Sequence, residues 1–178
     1  MSTSIKVDTP HKSDDQWLEE VRAAHGARAA FYYEMFCELK AEFGEEKALE
    51  VLGKTCRSLG LKKAKLYSSK LPDHSAQGFC NYFCSHGSVN NKIFEMESEE
   101  TSNGKSEGIA YLCRCPLVEG WKAQGVSGDD IEKLCSAAME FDHGTLEGLS
   151  LEGEFETLIS KGDSACKLLV KSKESSQV

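Results

Sequence analysis

The chain has 178 residues, 40% of them apolar and 28% charged, with a formal net charge of -8. That length supplies one sizeable core and points to a single domain. The acidic balance excludes the dense basic face that nucleic-acid binders present, and no apolar run approaches the roughly eighteen residues of a membrane span.

The first residues, Met1 to Gln16, are polar and carry no apolar signal region, so the expected location is cytoplasmic and reducing. Eight cysteines are then read as free thiols, serving as small core residues, as ligands or as catalytic groups. Residues 1–13 and 172–178 lack periodicity and are read as tails on either side of a domain over 14–171.

Between Asp14 and Leu39 the apolar positions Trp17, Leu18, Val21, Ala24, Phe31, Met35 and Leu39 follow the spacing of one buried helical stripe. Gly44 interrupts it, and Ala48, Leu49, Leu52 and Cys56 predict a second helix ending before Gly60. From Leu61 to Asn91, Pro72, Gly78 and Gly87 break the pattern, which predicts loops around one short helix. The basic run Lys62-Lys63-Ala64-Lys65 is read as a solvated face. Lys92–Glu99 and Gly108–Cys115 then predict two strands joined by the turn Ser102-Asn103-Gly104-Lys105. In the second strand Ile109, Tyr111, Cys113 and Cys115 fall on one face by the period of two.

Pro116 suits the first turn of a helix, and Gly125 ends that segment. Ser127 with Asp130 predicts the cap of the next helix, whose buried stripe is Ile131, Leu134, Cys135, Ala138 and Met139. Asp142, His143 and Gly144 are read as its end, with glycine as the left-handed cap. Phe155–Ser160 and Ala165–Lys171 predict a final hairpin, with Cys166, Leu168 and Val170 on one face. The sum is an α+β fold, an antiparallel sheet of two strand pairs covered by helices.

The succession Cys115-Pro116-Leu117, Trp121, Gly125, Cys135, Asp142 and Glu156 with Gly162-Asp163-x-x-Cys166 resembles the L-2-amino-thiazoline-4-carboxylic acid hydrolase family. His25-x-x-Arg28-Ala29, Tyr32 and Gly44-Glu45-Glu46-Lys47-Ala48-Leu49 resemble its N-terminal part. A more distant likeness is to the small-molecule-binding 4-vinyl reductase domain, in which Ile159 here stands where an intermediate cysteine would fall. The first resemblance implies a hydrolase that opens a C=N/C–S cyclic amidine-like ring with water. The second implies a sensing or binding module without turnover.

Such a hydrolysis needs a nucleophile, a proton carrier and a grip on the substrate carboxylate. Cys115, just before a helix N-terminus, is the candidate nucleophile, because a helix dipole favours thiolate. The alternative is a core cysteine. Asp142 is the candidate base and His143 the candidate proton shuttle, against a plain helix cap. His25, Arg28 and Tyr32 share one side of the first helix, where a guanidinium grips a carboxylate through two parallel hydrogen bonds.

Cys115, Cys135 and Cys166 with Glu156 or Asp142 make a candidate set for zinc or another divalent metal, though no short Cys-x-x-Cys spacing is present. Cys80 and Cys84 with His74 and His86 make a second, irregular set. The expected partner is a small-molecule substrate, with no nucleic acid and no membrane. The helical layer is a candidate homodimer surface.

Overall fold

The computed structural model describes residues 12–85 and 88–173; the side chains of 88–90 are not described. Helices α1 (Asp14–Phe43), α2 (Glu45–Ser68), α3 (Ala76–Ser85) and α4 (Ser88–Phe94) precede strand β1 (Met96–Glu100) and strand β2 (Glu107–Leu112). Helices α5 (Pro116–Ala123) and α6 (Gly128–Gly148) follow, then strands β3 (Leu151–Thr157) and β4 (Cys166–Ser172). The sheet is antiparallel in the order β1-β2-β4-β3, which joins the two expected hairpins through β2 and β4. The α+β class holds. The stretches read as tails fall mostly outside the described residues, although Ser172 pairs with Leu151 at the end of β4.

Local sequence accounts for the element ends. Ser13 opens α1 through a capping box: its hydroxyl accepts from the Gln16 amide, and its own amide donates to the Gln16 side chain. Pro116 sits in the first turn of α5. The Ser127 hydroxyl accepts from the Asp130 amide at the start of α6, as the spacing predicts.

Several boundaries differ from expectation. α2 does not stop before Gly60 but runs on to Ser68, and α6 does not end at Gly144 but continues to Gly148. One cause explains both. These glycines are the points where the two helices touch backbone to backbone: a Cβ on Gly60 would lie 2.1 Å from the Phe141 carbonyl oxygen, and one on Gly144 would lie 2.4 Å from that of Arg57. Thr145 adds a hydroxyl hydrogen bond to the Gly60 carbonyl at 3.3 Å. The glycines thus serve close approach rather than chain termination.

The stretch 61–91 is mostly helical, forming the end of α2, all of α3 and the start of α4. The residues from Lys92 to Phe94 belong to α4, and the strand begins only at Met96, after Glu95 turns at a φ of 50°. β2 ends at Leu112, so Cys113 and Cys115 leave the ladder. β3 starts four residues earlier than expected and stops at Thr157, after which Ile159–Lys161 form a single 3-10 turn.

α3 and α6 cover one face of the sheet. Gly108 on β2 faces Gln77 and Cys80 of α3, and Gly153 on β3 faces Leu146 of α6. Two separate apolar clusters result. One joins α1, α2, α5 and α6 around Phe36, Leu52, Trp121 and Leu134. The other joins α3, the sheet and the ends of α2 and α6 around Tyr67, Phe79, Leu146 and Leu168. Trp121 is tied to α1 by its indole N–H, which donates to the Ala29 carbonyl at 2.8 Å.

Gly60→Ala and Gly144→Ala are expected to lose about 2–4 kcal/mol in denaturant unfolding, because overpacking backbone against backbone outweighs the roughly 1 kcal/mol that alanine gains in a helix. Gly53→Ala, whose Cβ would meet only the flexible Glu140 side chain at 3.4 Å, is expected to be neutral or stabilising.

Candidate functional site

Cys56, Leu158 and Cys166 are buried yet belong to neither apolar cluster. They occupy the seam between the clusters, and the group that dominates this seam is Asp142 on α6. Its charge reaches Cys56 and Tyr67 on α2, Cys135 on its own helix and Cys166 on β4. Among the described residues the Asp142 carboxyl has neither a cation nor a side-chain hydrogen-bond partner. Part of the residue remains accessible, while the protein packed around the carboxyl raises its pKa to about 7 by burial, against a smaller lowering by its own amide. An unpaired carboxyl in such a place costs stability at neutral pH, which makes Asp142 a candidate functional group.

Burial shifts the thiols in the direction opposite to the one expected of Cys115. Cys115 does stand before the N-terminus of α5, and the Leu117 and Val118 amides pull its pKa down. Burial is the larger effect and pushes it up to about 11. Cys166 is pushed to about 12 by burial, against the Ile159 amide, which donates to its sulfur at 3.4 Å. Cys135 is raised by burial and drawn back by the nearby Ser160 hydroxyl. All three are held as thiols, so the helix dipole does not make Cys115 a thiolate.

Cys115, Cys135 and Cys166 are near enough to act on one another electrostatically. Glu156 does not join them. It is paired with Lys167 at 2.7 Å, and Lys167 alternates with Cys166 to the other face of the sheet. Among the described residues no group of three or more His, Cys, Asp or Glu side chains is arranged to hold a metal ion. No step is assigned to zinc. Of the second candidate set, Cys80 and Cys84 lie in the apolar cluster under α3, and His86 lies outside the described residues.

On α1, Tyr32 reaches the seam, its hydroxyl 3.3 Å from the Cys56 sulfur. Burial raises the Tyr32 pKa to about 12, and the Arg28 charge opposes the rise. The same guanidinium draws down the Cys56 thiol, which burial raises. Arg28 itself is exposed. His25 packs edge-on against Phe94, and its pKa is lowered by burial and by Arg28. His143 is turned toward Phe155 rather than toward the thiols. Phe31 is 65% and Trp17 52% exposed, so neither belongs to the buried face of α1, which is Ala29 and Phe36.

Sequence reasoning missed Cys56 and Tyr67. Both lie on α2 in ordinary helical stripes, and nothing in their spacing marks them; only the closeness of α6 turns them toward Asp142. Two surface grooves, of about 360 Å³ beside Pro72, Gln77 and Lys105 and about 370 Å³ beside Gly53, Arg57 and Lys133, lie apart from this seam.

The family description of L-2-amino-thiazoline-4-carboxylic acid hydrolase matches residues 24–170. The chain belongs to that family. The match takes in Arg28, Tyr32, Cys56, Cys115, Cys135, Asp142 and Cys166. No curated protein matches the chain in sequence. Among solved structures it is similar to a trafficking protein particle complex subunit 3 from Naegleria fowleri, covalently bound to palmitic acid, with a TM-score of 0.58 and 12% identity over 86% of this chain and 97% of that one. At that identity the likeness is one of fold. No described helix of the family member is long and apolar enough to cross a membrane.

Asp142 binds its proton more tightly in the folded chain than in the unfolded one. Its contribution to stability is therefore fully present below the ordinary aspartate pKa and is lost as pH rises through about 7. Asp142→Asn is expected to be more stable than the wild type at pH 8, by an amount on the order of a few kcal/mol, and level with it near pH 4. Urea unfolding of both proteins at the two pH values measures the difference.

Proposed function

We propose that the chain hydrolyses a small cyclic amidine-like substrate of the 2-amino-thiazoline-4-carboxylate kind, with Asp142 as its proton-transferring group. The observation that carries the reading is the half-buried Asp142 carboxyl, unpaired among the described residues, whose pKa burial raises to about 7. A general acid-base group works best when its pKa lies near the working pH. An amidine also matches a carboxyl geometrically, since two N–H groups meet two oxygens in parallel.

In this reading the protonated Asp142 gives its proton to the ring nitrogen as water adds to the amidine carbon. The carboxylate so formed takes a proton from the attacking water. The new C–O bond becomes a carbonyl as the C–S bond breaks, and the departing sulfur receives the proton. One water is consumed, and the product is a carbamoyl derivative with a free thiol. Arg28 at the rim holds the substrate carboxylate, with His25 and Tyr32 beside it. Cys56, Cys115, Cys135 and Cys166 stay protonated and form a polarizable wall around the reacting carbon.

Turnover of 2-amino-thiazoline-4-carboxylate, followed by release of a thiol, tests this directly. Asp142→Asn is expected to lower kcat by about 10²–10⁴-fold and to remove the limb of the pH profile near 7. Arg28→Ala is expected to raise KM with a smaller effect on kcat. Full turnover by Asp142→Asn would overturn the assignment.

A second reading is a module that binds such a ligand without turning it over, of the 4-vinyl reductase kind. It is favoured by the thiol chemistry, since none of these four cysteines is activated. Calorimetric binding of the thiazoline with no thiol released would support it. The fold relative carries palmitic acid covalently, so an acyl mass in the intact mass spectrum of this chain would point instead to a carried lipid.

A further inference from the structure

The helices cover one face of the sheet, and the other face has a definite chemical pattern. Across its rows stand Glu97, Tyr111 and Lys167, then Glu99, Ile109, Leu169 and Glu154, then Glu107, Lys171 and Glu152. The centre is thus half-buried Ile109, Leu169 and Tyr111, and both edge strands carry glutamates. Lys167 pairs with Glu156, and Lys171 lies 3.9 Å from Glu107. Tyr111 donates to Glu99 at 2.8 Å. Glu97, Glu152 and Glu154 are exposed and have no ion pair among the described residues. The face is an apolar strip between two acidic rails.

The complementary pattern occurs on α2. Leu59, Lys62 and Leu66 recur at helical spacing along its outward side, with Lys65 beside them. Leu59 and Leu66 are 47% and 57% exposed. Lys62 and Lys65 are exposed and have no ion pair among the described residues. This is an apolar strip with unpaired cations, turned away from α6 and hence away from the sheet of its own chain.

We propose that the outward side of α2 docks on the open sheet face of a second copy of this chain. The leucines meet Ile109, Leu169 and Tyr111, and Lys62 and Lys65 meet the unpaired Glu152, Glu154 and Glu97. Charges of opposite sign steer the encounter, and the apolar strip supplies the burial. The two surfaces are different patches that look away from each other. The contact is therefore heterologous, and each copy has one free surface of each kind after pairing, so the assembly grows by head-to-tail addition unless it closes into a ring.

Sedimentation and light scattering of the full chain test the pairing. The mean mass of the wild type is expected to rise with concentration at about 0.05 M salt and to fall toward the monomer near 1 M, where the Debye length is only about 3 Å. Lys62→Gln with Lys65→Gln removes one surface, and Glu152→Gln with Glu154→Gln removes the other. Each double variant alone is expected to be monomeric, with a wild-type melting temperature. Mixed one to one they are expected to form a heterodimer and nothing larger, because each caps the other. A wild type that stays monomeric at low salt, variants that still self-associate, or a mixture that stays monomeric would each overturn the proposal. An open face occupied by a different basic protein, or by residues 1–11 of the same chain, would leave the wild type monomeric and so fall among those outcomes.

Discussion

The contact on which the site depends is the close crossing of α2 and α6. Gly60 and Gly144 let the two backbones meet, and Gly148 continues the approach against Ala64, where a Cβ would come within 2.5 Å. With ordinary side chains at these points the axes would separate toward the usual 8–10 Å of packed helices. Cys56 lies one turn before Gly60, and Asp142 lies half a turn before Gly144, so the same crossing brings thiol and carboxyl together. Arg57 closes its solvent side with ion pairs to Glu140 and Glu147, which contribute little beside the packing.

Around that crossing the protein divides its interior into two apolar clusters and leaves polar groups between them. A seam of this kind is costly, since an unpaired carboxyl there has no cation to offset its desolvation. Burial acts in the same direction on every acid present: it keeps the cysteines and tyrosines protonated and moves Asp142 into the neutral range. The groups start from ordinary pKa values that differ by several units, so one common environment leaves the carboxyl alone titrating near pH 7. Cysteine number alone therefore does not single out one titrating group.

Much of the fold was legible in the sequence because its signals are local. The Ser127 cap, Pro116, the buried set Ile131, Leu134 and Cys135 of α6 and the inward set Cys166, Leu168 and Val170 all depend on neighbours within a turn or a strand. The stripe expected of α1, by contrast, is not its buried face, which is Ala29 and Phe36, with Trp17 and Phe31 exposed. The errors came where a residue type has two uses. Gly60 and Gly144 read as stops because glycine usually marks one; they are contact points because another helix lies against them. Cys113 and Cys115 continued the alternation of β2 on paper, but the ladder ends with its partner at Met96. Residues 61–91 looked irregular because α3 and α4 are short and lean on the sheet for their stability.

Sequence alone determined the class of the fold, the family, and the presence of Arg28, Tyr32, Asp142 and the C-terminal thiols as candidates. These follow from patterns that need no knowledge of distance. Only the tertiary structure decided that Cys56 and Tyr67 join Asp142, that Glu156 turns to the opposite face of the sheet, and that Cys115 remains a thiol. The reason is physical: electrostatics and desolvation depend on what lies within a few ångströms, and for these residues those neighbours are supplied by elements far away along the chain.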